Sequence, residues 1–391
     1  MHDCDVVVVG LGGFGSAALL HLAARGLSVV GVEAHGVPHT LGSSTGETRV
    51  IRKAYFEDAR YVPLLRRAYE LWATLARDVD ETLMERAGCL TFGPPTHPAV
   101  IGVQAAAREH ALDHEVLDDD GIASRFPGLQ PNRGDVGVYE SDAGFLHVER
   151  CTVAHVSAAQ RVGARVFAPG RVTAMRAGRD SVEVDVDDGH SWRARHVVLA
   201  AGAWLAADPV LRAFAGHAPL VVERQVQLWF EPGDVRFRVP RLPCFIHFGK
   251  RGTFYAIPGR DDLCSPGDTA LKACRHHGGV STTPDDVDRE VRAADVDDVR
   301  AFLRDHMPYA DGPPVRSKVC LYTNTPDENF LIGWSPSSSR VLVLGGCSGH
   351  GYKMASVIGE IAADLVVDGD NRLDKGRFDL GLFDPQRFTA A

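Results

Sequence analysis

Residues 4–9 form an apolar run ending at Gly10, and residues 28–33 repeat the pattern before closing on Glu33. Between them, residues 14–25 keep apolar positions at helical spacing, so the pattern predicts strand, helix, strand. Residues 59–77 predict an amphipathic helix, 99–112 and 119–125 shorter helical pieces, and 149–163 another helix. Cys89–Gly93 reads as a strand, as do segments around 164–172 and 181–187. Residues 195–204 predict a buried strand that runs into the small residues Ala200, Ala201 and Gly202. From about 221 to 310 the character changes, with strand-like stretches at 226–230 and 254–258 and a polar helix near 284–306. Last come a strand and glycine-rich turn from Arg340, then a helix at about 353–367. The order predicts an α/β chain: a nucleotide-binding domain from 1–88, 150–220 and 311–391, and a second domain from 89–149 and 221–310. No repeat or low-complexity segment interrupts it.

The first turn carries the chemistry. Gly10, Gly12 and Gly15 have the Gly-x-Gly-x-x-Gly spacing between strand and helix. There the first glycine permits the tight turn, the second lets a pyrophosphate approach the backbone, and the third lets helix and strand pack closely. The helix N-terminus adds unpaired N–H groups and the positive end of its dipole. Glu33 stands at the end of the next strand, where an acid holds ribose hydroxyls. The set predicts an adenine dinucleotide site, with NAD and FAD both open at this point.

Composition narrows the partners. The chain has 391 residues, 45% hydrophobic and 24% charged, enough for a large core and two domains. A net charge of −9 without a basic run argues against nucleic acid as partner. No stretch approaches the ~18 apolar residues of a membrane span. The start lacks the basic flank of a leader and the end lacks a peroxisomal address, so a cytoplasmic protein is expected. The eight cysteines are scattered without metal-ligand spacing, as reduced thiols are.

Four further stretches, at 42–55, 270–279, 318–332 and 348–364, resemble segments of the monomeric sarcosine oxidase and N-methyltryptophan oxidase family, in order along the whole chain. The resemblance selects FAD over NAD. It implies a glutathione-reductase-like, Rossmann-type FAD domain and an inserted α+β substrate domain built on an antiparallel sheet. Cys320, in Lys-Val-Cys-Leu-Tyr-Thr-Asn-Thr-Pro-Asp, would hold the flavin covalently; otherwise it is a buried structural thiol. Ser43, Thr48, Val172, Gly202, Gly349 and Gly351 would join the fingerprint residues around the cofactor.

On the reacting side, the resemblance implies that Arg52 and Lys353 clamp a substrate carboxylate. Arg suits this as a planar fork and Lys as a compact charge. The plainer expectation is a surface salt bridge from Arg52 to Glu57 or Asp58, and a solvated Lys353 placed against a helix dipole. Arg49 and Lys272 would sit near the flavin, with Lys272 promoting oxygen reduction and His276 close by. Tyr255 and Tyr322 would line the substrate cavity. Two positions depart from the family: Thr45 replaces a histidine near the flavin, and Ile246 replaces a pocket methionine. An insertion at about Cys264–Thr269 also precedes the lysine segment. The implied activity is oxidation of a carboxylate-bearing secondary amine to an imine, with O2 reduced to hydrogen peroxide, by a monomer. Oxidation of a cyclic amino acid such as pipecolate or a biosynthetic imino acid, or transfer to another electron acceptor, are the alternatives.

Overall fold

β-Branched residues fill the central strands: Val6 to Val9 and Val29, Val30 and Val32 are all buried, as parallel strands covered on both faces require. The computed structural model describes residues 1–260, 269–368, 378 and 380–388. An eight-stranded sheet has a parallel core of Arg165–Phe167, Val29–Val32, His2–Val9, Ser191–Leu199 and Ser338–Gly345. The helix Gly13–Ala24 is buried on most of its surface between the helices Val148–Arg161 and Ala355–Asp368.

A nine-stranded sheet forms the second layer system. It is antiparallel apart from the parallel pairing of Cys244–Gly249 with Cys89–Gly93. Its long strand Val221–Phe230 pairs with Arg316–Asn324, the strand that carries Cys320. Between the two sheets, Thr48–Ile51 and Gly144–His147 pair in a small third sheet that periodicity did not predict.

Helix ends differ from expectation where local side chains intervene. The helix expected over 284–306 begins only at Ala293, because Thr283 and Asp286 bond each other in a turn and Asp295 accepts from Arg292 N at 2.9 Å. The segment expected as helix from 59 opens as a 3₁₀ turn, Ala59–Tyr61, and becomes α-helix at Val62–Val79. Asp58 sets that start by accepting from Arg60 N at 2.8 Å. Likewise a 3₁₀ turn, Tyr352–Met354, precedes the last long helix. The insertion expected at Cys264–Thr269 lies outside the described residues except for Thr269. Among the described residues, no helix is long and apolar enough to cross a membrane.

Candidate active site

A Cβ at Gly10, where φ is +87°, would stand 2.6 Å from Ala200 O, and one at Gly15 only 1.8 Å from Gly10 O. At Gly12 the nearest atom is a side-chain tip, Ser44 Oγ at 3.2 Å. The outer glycines thus serve the turn and the packing, while Gly12 leaves its backbone open to a cleft. Gly12 caps the first helix without a side-chain bond, and Gly13 N donates to Ser44 Oγ at 2.9 Å. Glu33 ties the loop down: its carboxylate accepts from Leu11 N at 2.8 Å and from His35 N at 3.0 Å.

The cleft extends from Glu33, Val172 and Gly202, past Ser43, Gly349 and Gly351, to Arg49, Arg52 and Lys353. It is long enough to take in both the glycine turn and the Arg52–Lys353 pair along a single lining. Its glycine cradle, helix N-terminus and buried acid fit the pyrophosphate and ribose of FAD.

At the far end, Arg52 is buried rather than superficial. Its Nη2 donates to Glu57 at 3.0 and 2.8 Å, its Nη1 to Ala54 O at 2.5 Å, and its guanidinium lies over the Phe56 and Tyr55 rings. Nε has no partner. Lys353 Nζ donates to His350 O at 2.8 Å, and burial, then the charge of Arg52, push its pKa down to about 7. Burial pushes the Glu57 carboxyl up, but Arg52, His350 and Lys353 outweigh it and hold it below its usual range. The expected Arg52–Glu57 salt bridge is present, but it belongs to the cleft floor.

One face of the nine-stranded sheet supplies most of the other expected residues. Cross-strand partners share a face, and here Ile246 pairs with Tyr255, Tyr255 with Cys274, Trp229 with Lys272, Gln225 with Cys320, and Glu223 with Tyr322. Strand alternation puts His276 beside Cys274 on that face. Ile246, Tyr255, His276 and Tyr322 line the cleft, and Tyr322 Oη lies 3.0 Å from His276 Nδ1. The Tyr322 ring would clash with a Cβ on Gly349 at 2.5 Å, which explains a glycine there.

Lys272, Thr48, Thr45 and Cys320 are not in the cleft wall. Lys272 and Thr48 line a second cavity with Trp229 and Glu149. Lys272 Nζ donates to Gly46 O at 2.7 Å and Thr48 O at 3.0 Å. Burial, then Arg49, push its pKa down to about 7. The two sites share a thin wall, since Arg49 Nη1 donates to the same Thr48 O at 2.8 Å and its Nη2 to Ser43 O at 2.8 Å. Thr45 is buried and bonds Glu149 at 3.3 Å. Cys320 is buried one strand alternation from Tyr322. Burial raises its thiol pKa, and the charges of Arg49 and Lys272 act against that. Gln227 joins this group: with its oxygen turned to Arg49 it accepts at 3.1 and 3.2 Å, and that same end of the amide lies 3.4 Å from Cys320 Sγ.

Sequence reasoning missed Ser44, Glu149, Gln227 and His350. Ser44, Glu149 and Gln227 act through partners far along the chain, and the His350 ring meets Tyr55 Oη at 2.6 Å while its carbonyl holds Lys353 three residues on, so no local spacing marks the set.

Comparison with known proteins gives the family. The model of the DAO family, described as FAD dependent oxidoreductase, matches residues 5–365. A monomeric sarcosine oxidase of Streptomyces avermitilis is 37% identical over 391 residues, covering 99% of this chain and 98% of its own. An N-methyl-L-tryptophan oxidase of Shigella flexneri is 33% identical over 389 residues, covering 98% and 99%. Among solved structures, NikD, an unusual amino acid oxidase essential for nikkomycin biosynthesis, superimposes with a TM-score of 0.84 at 24% identity over 98% of both chains. L-proline dehydrogenase from P. horikoshii gives 0.84 at 20% identity, over 99% of this chain and 98% of its own. With a family match across most of its length and full-length relatives above 30% identity, the chain belongs to the FAD dependent oxidoreductase family.

Proposed function

We propose that this protein oxidises a carboxylate-bearing secondary amine, an N-methyl amino acid in the manner of its sarcosine oxidase relatives, to an imine, with dioxygen as electron acceptor. The observation that carries this is a charge imbalance at the cleft floor. Two buried cations, Arg52 and Lys353, face one carboxylate, Glu57; burial and then the Arg52 charge lower the Lys353 pKa to about 7, so a second anion beside them would favour its charged form. A substrate carboxylate completes the set and holds the amine against the cofactor end of the cleft, a positioning effect worth several powers of ten in rate.

The glycine turn, Glu33, Ser43 and the 349–351 turn would hold FAD, which would supply the acceptor for a hydride from the carbon next to nitrogen. Ile246, Tyr255, His276 and Tyr322 close over the amine and set which N-substituents fit. Burial drives the His276 imidazole well below its usual pKa, so it is neutral and can accept a hydrogen bond. Lys272, fixed on two carbonyls beside Arg49, provides positive charge where dioxygen is reduced. Cys320, on the face that also bears Tyr322, serves as the covalent attachment point. The sheets support a division into cofactor and substrate domains, with the Cys320 strand on the substrate sheet.

The test is peroxide release against sarcosine, larger N-methyl amino acids, proline, pipecolate and matched amines without the carboxylate. Turnover confined to carboxylate-bearing secondary amines is expected; equal turnover of the carboxylate-free amines overturns the clamp. Lys272→Met is expected to leave anaerobic reduction by amine intact and slow reoxidation, and equal loss in both half-reactions removes its role. Yellow colour that stays with acid-denatured protein, and leaves it in Cys320→Ser, checks the attachment.

A further inference from the structure

Glu149 stands in the first turn of the helix Val148–Arg161 and directs its carboxylate onto residues 45–47. Oε1 accepts from Gly46 N at 2.8 Å, Glu47 N at 3.2 Å and Thr45 Oγ1 at 3.3 Å, and Oε2 accepts from Glu47 N at 3.0 Å. The backbone it holds is unusual. Gly46 has φ +91°, and Glu47, with a full side chain, has φ +68°. A non-glycine residue keeps that conformation only where its surroundings impose it. Val148 N, from the same helix start, adds a bond to Glu47 O at 2.8 Å.

The peptide between Gly46 and Glu47 then faces two ways. Its N–H, on Glu47, points at Glu149, and its C=O, on Gly46, accepts from Lys272 Nζ at 2.7 Å. A trans peptide is planar, so fixing the N–H aims the carbonyl. A carboxylate on the N–H also polarises the amide and makes its oxygen a better acceptor for an ammonium.

We infer that Glu149 is a positioning residue for Lys272, acting through this single peptide unit. The inference rests on the proposed part of Lys272 in reoxidation. Other groups facing Lys272 are Arg49, Cys274, Cys320, the Trp229 ring 5.1 Å from Nζ, and Glu47, whose carboxylate is paired with Arg316. Around the second cavity, Arg260 pairs with Glu85 at 2.6 Å and contacts His147 at 3.0 Å, and Arg150 is exposed. None of these holds the peptide that Glu149 holds.

Carbonyl partners favour the charged lysine against burial. Releasing them lowers its pKa, so the alkaline limb of reoxidation moves to lower pH. The experiment uses holoenzyme of the parent, Glu149→Gln, Glu149→Asp and Lys272→Met. It reads amide exchange at Gly46 and Glu47, and the pH dependence of each half-reaction. Glu149→Gln is expected to speed exchange at both amides, to move the reoxidation limb down by about one pH unit, a tenfold loss at fixed pH on that limb, and to leave reduction by amine unchanged. Glu149→Asp should shift both readouts less, in the same direction, and it decides the matter alone if the Gln variant does not hold flavin. Faster exchange with an unmoved limb, while Lys272→Met still slows reoxidation, overturns the inference and spares the proposed function. Unaltered reoxidation in Lys272→Met overturns the role of Lys272, and the inference with it.

Discussion

The Arg52 guanidinium lies 4.2 and 4.5 Å from the centroids of two rings and shares Glu57 with Lys353 across the cleft floor. Removing that charge leaves Glu57 facing Lys353 alone and, in the proposed function, deprives a bound carboxylate of its fork. Arg52→Gln is expected to lower kcat/KM for a carboxylate-bearing amine by roughly 100-fold, about 3 kcal/mol, the scale for losing one member of a buried charge pair. An equal loss for a carboxylate-free amine would remove Arg52 from substrate binding. Gly46 makes a different prediction. With φ +91° and a Cβ position 1.7 Å from the Gln227 side-chain amide, Gly46→Ala should cost about 1–3 kcal/mol in urea denaturation. At this scale the sequence was partly readable. Arg52, Lys353 and Lys272 are marked by residue type and by their resemblance to a known family. Glu149 is not, because it meets its targets more than 100 positions away.

Among the elements, the first helix and the helix Ala355–Asp368 meet so closely that a Cβ on Gly359 would stand 2.4 Å from the carbonyl carbon of Ala17. Backbone cannot give way as a side-chain tip can, so the helices must separate. Gly359→Ala is therefore expected to cost about 1–3 kcal/mol, the range for overpacking. It should also lower the flavin content of purified protein, because the first helix carries the phosphate-binding N-terminus. Normal flavin content with an unchanged melting temperature would show that the contact relaxes freely. Strand alternation explains why the substrate side was legible here. Lys272 and His276, like Cys320 and Tyr322, are separated by even numbers and must share a face. Which strands lie side by side was not legible. Register between Val221–Phe230 and Arg316–Asn324 joins segments almost 100 residues apart, and nothing local encodes it.

Across the whole molecule, burial holds several histidines neutral even where an acid stands near, as Glu360 does by His21, Asp135 by His247 and Glu57 by His350. Burial lowers His155 and His247 to about 3 and His21 and His350 to about 4, from 6.5. They are neutral in the fold, whereas the unfolded chain protonates them below about 6.5. Between about pH 6.5 and 4 the unfolded state therefore binds more protons, and stability falls as pH falls through that window. Melting temperatures measured from pH 7.5 to 4.5 should be level at the upper end and drop steeply below 6. A level profile throughout would mean that these rings exchange protons without opening the core.

What the sequence determined by itself is what repeats over a few residues: the strand–turn–helix–strand of the dinucleotide site, the three glycines with their separate steric tasks, and the shared face of alternating strand positions. Hydrophobic period and backbone sterics act between neighbours, so they survive in a linear reading. The tertiary structure alone decided that Glu57 sits between two cations and that a buried Arg52 replaces a surface pair. It also decided that Lys272 looks into a second cavity, on a peptide steadied by Glu149. Those are charge–charge and charge–dipole contacts between distant segments, and their strength depends on burial and distance, which exist only once the chain has folded.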